Sequence, residues 1–162
     1  MPQKGRVGIF FGSWYTSPIV RHVYSEIDEP AFLQEARHIN AMEKMLVDDG
    51  ALIVKFWFHL GKNAQEKRLK SLEKKEETRW RVTPTDWKHF AMYDRFKDVS
   101  GRMLAATSTP EAPWLVVEGE DARYRSLTVG QTLLELITER INSRKAGAPV
   151  PATPGAPRPH EP

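Results

Sequence analysis

The sequence predicts an α/β domain, a largely parallel sheet with helices on its faces. Three observations carry that expectation. Residues 51–58 are apolar on both faces, as in a parallel strand covered by helices above and below. Residues 6–11 form a shorter apolar, β-rich run bounded by Gly5 and Gly12, and read as a buried strand. Between them, residues 29–47 place Phe32, Ala36, Ile39 and Leu46 near one helical face, with charge opposite. Strand, long helix, strand is a βαβ unit, whose crossover is right-handed.

The remaining elements follow in order. Thr16-Ser17-Pro18 breaks the first run, and Gly50 supplies the stop of the long helix. A highly charged helical stretch covers residues 63–77. Thr83-Pro84-Thr85-Asp86 has the make-up of a helix start: Thr83 caps, Pro84 suits the first turn, and Asp86 returns a bond as in a capping box. That helix is expected to reach about residue 106. Pro110 and Pro113 mark a loop, and residues 114–117 are a third strand. The last helix begins near Asp121 and carries Leu127, Gly130, Leu134, Ile137 and Ile141 at helical spacing. Each large side chain buried there would contribute roughly 1.5–3 kcal/mol. From Ala146 the composition turns to proline and small residues, which cannot make a core and are expected to be disordered or polyproline-like. The expected organisation is a domain over residues 6–143 and a Pro-rich tail over residues 144–162.

A chain of 162 residues is long enough for one domain with a proper core. The net charge of +3 implies no strong global field. The absence of cysteine excludes disulfides and thiolate metal sites and fits a reducing compartment. The first residues lack the apolar core of a signal peptide. The run over residues 51–58 is too short to span a bilayer and contains Lys55. A soluble cytoplasmic protein with no membrane partner is expected.

Several residues could carry chemistry. In the charged stretch Lys62, Lys67, Arg68, Lys70, Lys74, Lys75, Arg79 and Arg81 outnumber Glu66, Glu73, Glu76 and Glu77. Arginines at helical spacing offer forked donors to phosphate oxygens. The alternative is a solvated helix laced with i,i+4 pairs such as Glu66–Lys70. Interleaved acids and a modest net charge argue against nucleic acid as the partner. Trp14 and Tyr15 either line a phosphate or base site or belong to the core. Asp48-Asp49 reads as a helix end, and Glu118, Glu120 and Asp121 as a helix start, where negative charge is favoured, with acid–base work or metal binding as the alternative. Glu43 lies on an otherwise apolar helix face and is expected to pair with a lysine or arginine. Lys55 either projects towards a phosphate at the carboxyl end of its strand or snorkels. The histidines show no metal-ligand spacing, and Ser13 has no frame for a nucleophile.

One stretch is more specific. Phe10-Phe11-Gly12-Ser13-Trp14-Tyr15-Thr16, directly after an apolar run, resembles the second phosphate-site motif of the polyphosphate kinase 2 family. The resemblance continues in order through Asn40–Leu46 before Asp48-Asp49-Gly50, Lys55-Phe56-Trp57-Phe58-His59, Gln65-Glu66-Lys67-Arg68, Trp80–Asp86, and Ala112-Pro113-Trp114. It covers roughly residues 6–140 and looks most like the degenerate half of two-domain polyphosphate:AMP phosphotransferases.

The resemblance implies a P-loop-kinase-like fold and polyphosphate-dependent phosphoryl transfer to a nucleotide, with AMP as acceptor and magnesium as the family's metal. It makes Lys62, Arg68, Arg79, Arg81 and Arg125 the candidate phosphate-binding residues, the charged stretch being the family's lid. Arg68, Arg81 and Arg125 stand at matching positions. Active members have Asp-Arg where this chain has Phe11 and Gly12, and magnesium wants oxygen ligands that Phe11 lacks. Phe11 is therefore expected to have been converted to packing. No Gly-x-x-x-x-Gly-Lys-Ser/Thr stretch occurs in the sequence, so the fold is expected without its N-terminal phosphate-loop unit. The chain is expected to have little or no activity alone. The rival expectation is a non-catalytic module that forms a homo-oligomer or pairs with a second, active half.

Overall fold

Strands β1 (Lys55–His59) and β2 (Trp114–Glu118) pair in parallel, with Lys55 opposite Trp114 and His59 opposite Glu118. This computed structural model describes residues 2–3 and 5–145, the side chains of 144 and 145 excepted. The expected tail falls outside the described residues from residue 146 onward, as does His160. Parallel pairing forces a long crossover. Here it consists of α3 (Lys62–Lys74), a 3₁₀ turn (Arg79–Arg81), α4 (Pro84–Ala91) and α5 (Tyr93–Thr107). Last comes α6 (Ala122–Lys145). The α/β class and the parallel sheet thus hold.

The core lies between helices at the Tyr15 side of the sheet. α1 (Thr16–Val23) and α2 (Glu29–Asp48) pack with α5. Tyr15, Ile19, Val23, Phe32, Ala36, Ile39, Val99 and Met103 form one buried cluster there. Local chemistry fixes α2 at both ends. Asp28 accepts from the Ala31 amide at 3.0 Å, and Pro30 occupies the first turn. At the other end Gly50 has φ +92°. Its amide bonds the Val47 carbonyl at 2.8 Å, and the Ala51 amide reaches Leu46 at 2.9 Å, as in a Schellman stop. The Thr83–Asp86 capping box is present, with the Thr83 amide 2.7 Å from an Asp86 oxygen. Those donors hold the Asp86 carboxyl below its usual range.

Four expectations need correction. Residues 6–11 are not a strand. They pair with neither β1 nor β2, and Val7, Ile9 and Phe11 are 85%, 80% and 94% exposed. An apolar run becomes a strand only if another backbone takes its ladder bonds, and none does here. Phe11 is accordingly bare, not converted to packing. The βαβ unit therefore runs from β1 to β2, one segment later than predicted. The helix expected from Thr83 to about residue 106 is two helices, broken at Met92 (φ −101°, ψ 18°). The break lets Val99, Ser100, Met103 and Thr107 face the core while the Tyr93 hydroxyl donates to the Leu60 carbonyl at 2.9 Å.

The fourth correction concerns α6. Leu127, Leu134, Ile137 and Ile141 are exposed, while Leu136 and Arg140 are buried. At 3.6 residues per turn these are different faces. The helix carries two apolar stripes and lays only one on the sheet.

Candidate functional site

The Ser-Trp-Tyr segment forms a tight corner into α1. Gly12 has φ +69° and Ser13 φ +51°. A Cβ on Gly12 would lie 2.2 Å from Thr16 Oγ1, so the corner requires glycine. Beyond it the aromatic pair converges on Glu43. Trp14 Nε1 donates to Glu43 Oε1 at 3.1 Å, and the Tyr15 hydroxyl donates to the same oxygen. Lys55 Nζ donates to Glu43 Oε2 at 2.8 Å and to the Thr107 carbonyl at 2.7 Å. It also sits 5.6 Å from the Tyr15 ring centre and 5.2 Å from that of Trp114. Trp114 Nε1 closes the network by donating to Thr107 Oγ1 at 2.9 Å.

This cluster is sealed: Glu43 is 1% exposed, Lys55 5% and Tyr15 6%. Burial pulls the Lys55 ammonium down against the opposing pull of Glu43. Burial first, and Glu43 second, push the Tyr15 phenol far above its usual range. Glu43 is thus the buried partner of a lysine, as expected. Lys55 neither snorkels nor reaches a phosphate, because its charge is spent inside the domain. Tyr15 is a core aromatic, with Trp14 half-buried beside it.

The corner does not fit a magnesium ion. Phe11 offers no oxygen, and both Glu43 oxygens already accept from Trp14, Tyr15 and Lys55. Among the described residues no three His, Asp or Glu side chains gather in the manner of a metal site.

A second region lies at the carboxyl ends of β1 and β2, where open α/β sheets take their ligands. The Gly119 amide continues the ladder by donating to the His59 carbonyl at 2.7 Å. A Cβ on Gly119 would approach that oxygen to 2.8 Å, so the close approach needs glycine. Glu118 accepts from the Glu120 and Asp121 amides at 2.5 and 3.2 Å. Asp121 accepts from Arg123 and Tyr124 at 2.7 and 3.0 Å, which holds its carboxyl below the usual range. These acids open α6 as the sequence suggested. Asp48 likewise closes α2, paired with Lys44 at 2.9 Å.

Two of the candidate phosphate ligands, Lys62 and Arg125, follow the ends of β1 and β2 here. Arg125 donates to the Gly119 carbonyl at 2.6 Å and lies 6.0 Å from the Phe58 ring centre. Lys62 opens α3 and pairs with Asp94 of α5 at 2.5 Å. The other three lie further along the crossover. Arg68 is six residues into α3, about 9 Å from Lys62 along the axis. Arg79 and Arg81 are on the 3₁₀ turn.

The partners of these cations differ. Among the described residues the Arg79 guanidinium has only a long contact, 3.7 Å to Glu76. Arg68 and Arg81 are exposed, and their guanidinium groups have no ion-pair or hydrogen-bond partner among the described residues. The solvated-helix reading also holds locally, since Lys70 pairs with Glu66 at 2.5 Å and α3 buries no residue. Sequence reasoning missed Asp94 and Tyr93, the partners of Lys62, because a salt bridge across 32 positions leaves no local signal.

The polyphosphate kinase 2 family model matches residues 1–145. A polyphosphate:AMP phosphotransferase of Pseudomonas aeruginosa is 49% identical over 135 residues, covering 83% of this chain and 27% of that protein. Its counterpart from Pseudomonas syringae pv. tomato is 45% identical over 142 residues, covering 88% of this chain and 28% of that protein. The crystal structure of polyphosphate kinase 2 from Arthrobacter aurescens superposes with a TM-score of 0.74 at 25% identity, over 89% of this chain and 48% of that one. The chain therefore spans 27–28% of the length of these two phosphotransferases.

Proposed function

This chain belongs to the polyphosphate kinase 2 family, and on that premise we propose that it is a polyphosphate-holding half of a polyphosphate:AMP phosphotransferase. It serves phosphoryl transfer to a nucleotide but does not complete the reaction alone. The observation that carries this reading is the pair of unpartnered guanidinium groups, Arg68 and Arg81, exposed on the basic crossover. Phosphoryl transfer relies on positioning and charge neutralisation, with little covalent work for the protein. Forked guanidinium donors bind the oxygens of a phosphate chain; Arg79 adds charge on the turn that carries Arg81, and Lys62 and Arg125 add it at the carboxyl ends of the strands. The 162 residues contain no phosphate-loop stretch, and Phe11-Gly12 stand where active relatives carry Asp-Arg. Magnesium would be the family's ion, and no step here is routed through it.

A non-catalytic module is the second reading, favoured by bare apolar surface at Val7, Ile9 and Phe11 and along α6. The partner would be a second copy or another polyphosphate kinase 2-like half. No helix among the described residues is long and apolar enough to cross a membrane.

The test is retention on immobilised polyphosphate. Retention should fall steeply as salt rises, because each bound cation releases counterions. Arg68→Ala with Arg81→Ala should weaken it by roughly tenfold. Retention that ignores salt, or that survives the double change intact, contradicts the proposal.

A further inference from the structure

Trp80 is the most exposed tryptophan, and neither the core nor the phosphate reading uses it. Its residue is 75% exposed, whereas Trp14, Trp57, Trp87 and Trp114 are all partly buried. It is nevertheless held in place. Its Nε1 donates to the Glu77 carbonyl at 2.8 Å. The turn beneath it is closed by Thr78, whose Oγ1 donates to the Leu72 carbonyl at 2.8 Å and whose own carbonyl accepts from the Arg81 amide at 2.9 Å. A ring already fixed on a closed turn loses little freedom when something stacks on it.

The neighbours decide what that something is. Arg79 and Arg81 immediately precede and follow Trp80 on the same short turn, so guanidinium charge lies within one residue of the indole on both sides in the chain. Arg81 is unpartnered, and Arg79 holds Glu76 only at 3.7 Å with both side chains solvated. A cationic ligand would be repelled by these arginines. A purely apolar one would have no use for them. A polyphosphate chain would use the charge but has no flat face to offer the indole. A nucleotide has both: a base that stacks on an aromatic ring and a phosphate for a guanidinium fork.

We propose that Trp80 is a stacking platform for the base of a nucleoside monophosphate, with the phosphate held by Arg81. The proposal rests on the function given above and adds to it a place for the nucleotide's base on the same basic crossover. A mononucleotide is the occupant, not a strand of nucleic acid, because Trp80 is the one aromatic ring of the Arg79–Arg81 turn and a single ring stacks a single base.

The test compares AMP with ribose 5-phosphate, which has the phosphate and sugar without the base. Binding to the full chain is followed by calorimetry and by the indole N–H resonances, the Trp80 signal being the one lost in Trp80→Phe. AMP should bind at least about fivefold more tightly than ribose 5-phosphate and should move the Trp80 signal. Trp80→Ala should abolish the preference while leaving tripolyphosphate binding unchanged, and Trp80→Phe should keep part of it. Equal binding of the two ligands by the native chain overturns the proposal, as does a preference that survives in Trp80→Ala. An unmoved Trp80 resonance, or a short oligonucleotide binding more tightly than AMP, does so too. Should Trp80→Ala fail to fold, the native chain's ligand preference and resonance shift, with Trp80→Phe, still decide. Loss of tripolyphosphate binding in Arg68→Ala speaks only to the phosphate-holding reading, so the two ideas fail separately.

Discussion

Glu43 accepts from Trp14, Tyr15 and Lys55 at once, so one buried carboxylate ties the corner before α1 to α2 and β1. Removing one member of a buried ion pair strands the other charge in a low-dielectric site, at a cost of about 3–5 kcal/mol. Lys55→Met should lower the unfolding free energy by about that amount in urea titrations. A loss too small to resolve would mean that water reaches Glu43. Tyr15 adds a pH dependence. Its folded-state pKa is raised, so the protonated phenol contributes stability that is fully present below the unfolded value near 10. Above that pH the unfolded chain releases a proton that the folded chain keeps. Stability should then fall by about 1.4 kcal/mol per pH unit from this group. Comparison of the native chain with Tyr15→Phe between pH 9 and 11 checks the sign. An alkaline slope identical in both would show that the phenol ionises freely in the folded state.

The elements differ in how far the sequence announced them. α2 and α4 were legible because their signals are local: Asp28, Gly50, Thr83 and Asp86 each act within a few residues of where they stand. β2 was legible as a β-rich run between turn signals. Residues 6–11 carry the same kind of signal and are not a strand, because a strand depends on a neighbour that local sequence cannot supply. The break at Met92 has no proline or glycine to mark it. In the candidate site, Arg68 and Arg81 are singled out by their match to family positions, whereas charge excess alone favours a paired, solvated helix. The fate of Lys55 could not, since it depends on Glu43, twelve positions away and across a packed layer. On α6 periodicity identified an apolar face correctly but not whether anything covers it. That face yields a prediction. The chain should self-associate as concentration rises, through Leu134 and Ile137, which are 70% and 42% exposed. Leu134→Glu with Ile137→Glu should return it to monomer in sedimentation velocity. A native chain that stays monomeric at every concentration contradicts this.

For the whole molecule, the proposed function separates the family's phosphate-binding charge from its chemistry. The basic crossover keeps exposed arginines, while the corner after residue 11 holds a bare phenylalanine and a buried carboxylate whose oxygens are already engaged. Binding a polyanion requires only the first. Catalysis also requires a preorganised cradle and an ion held against the transferring phosphoryl group. Introducing an acid by Phe11→Asp would supply one oxygen ligand and no cradle, so it should not create activity. The most direct measurement of this separation is AMP-to-ADP conversion by the purified chain with polyphosphate and magnesium, run beside polyphosphate binding on the same sample. Binding that weakens with salt, with no detectable ADP, is the predicted result. ADP formation that disappears in Arg68→Ala would contradict it, because this chain would then complete a catalytic site.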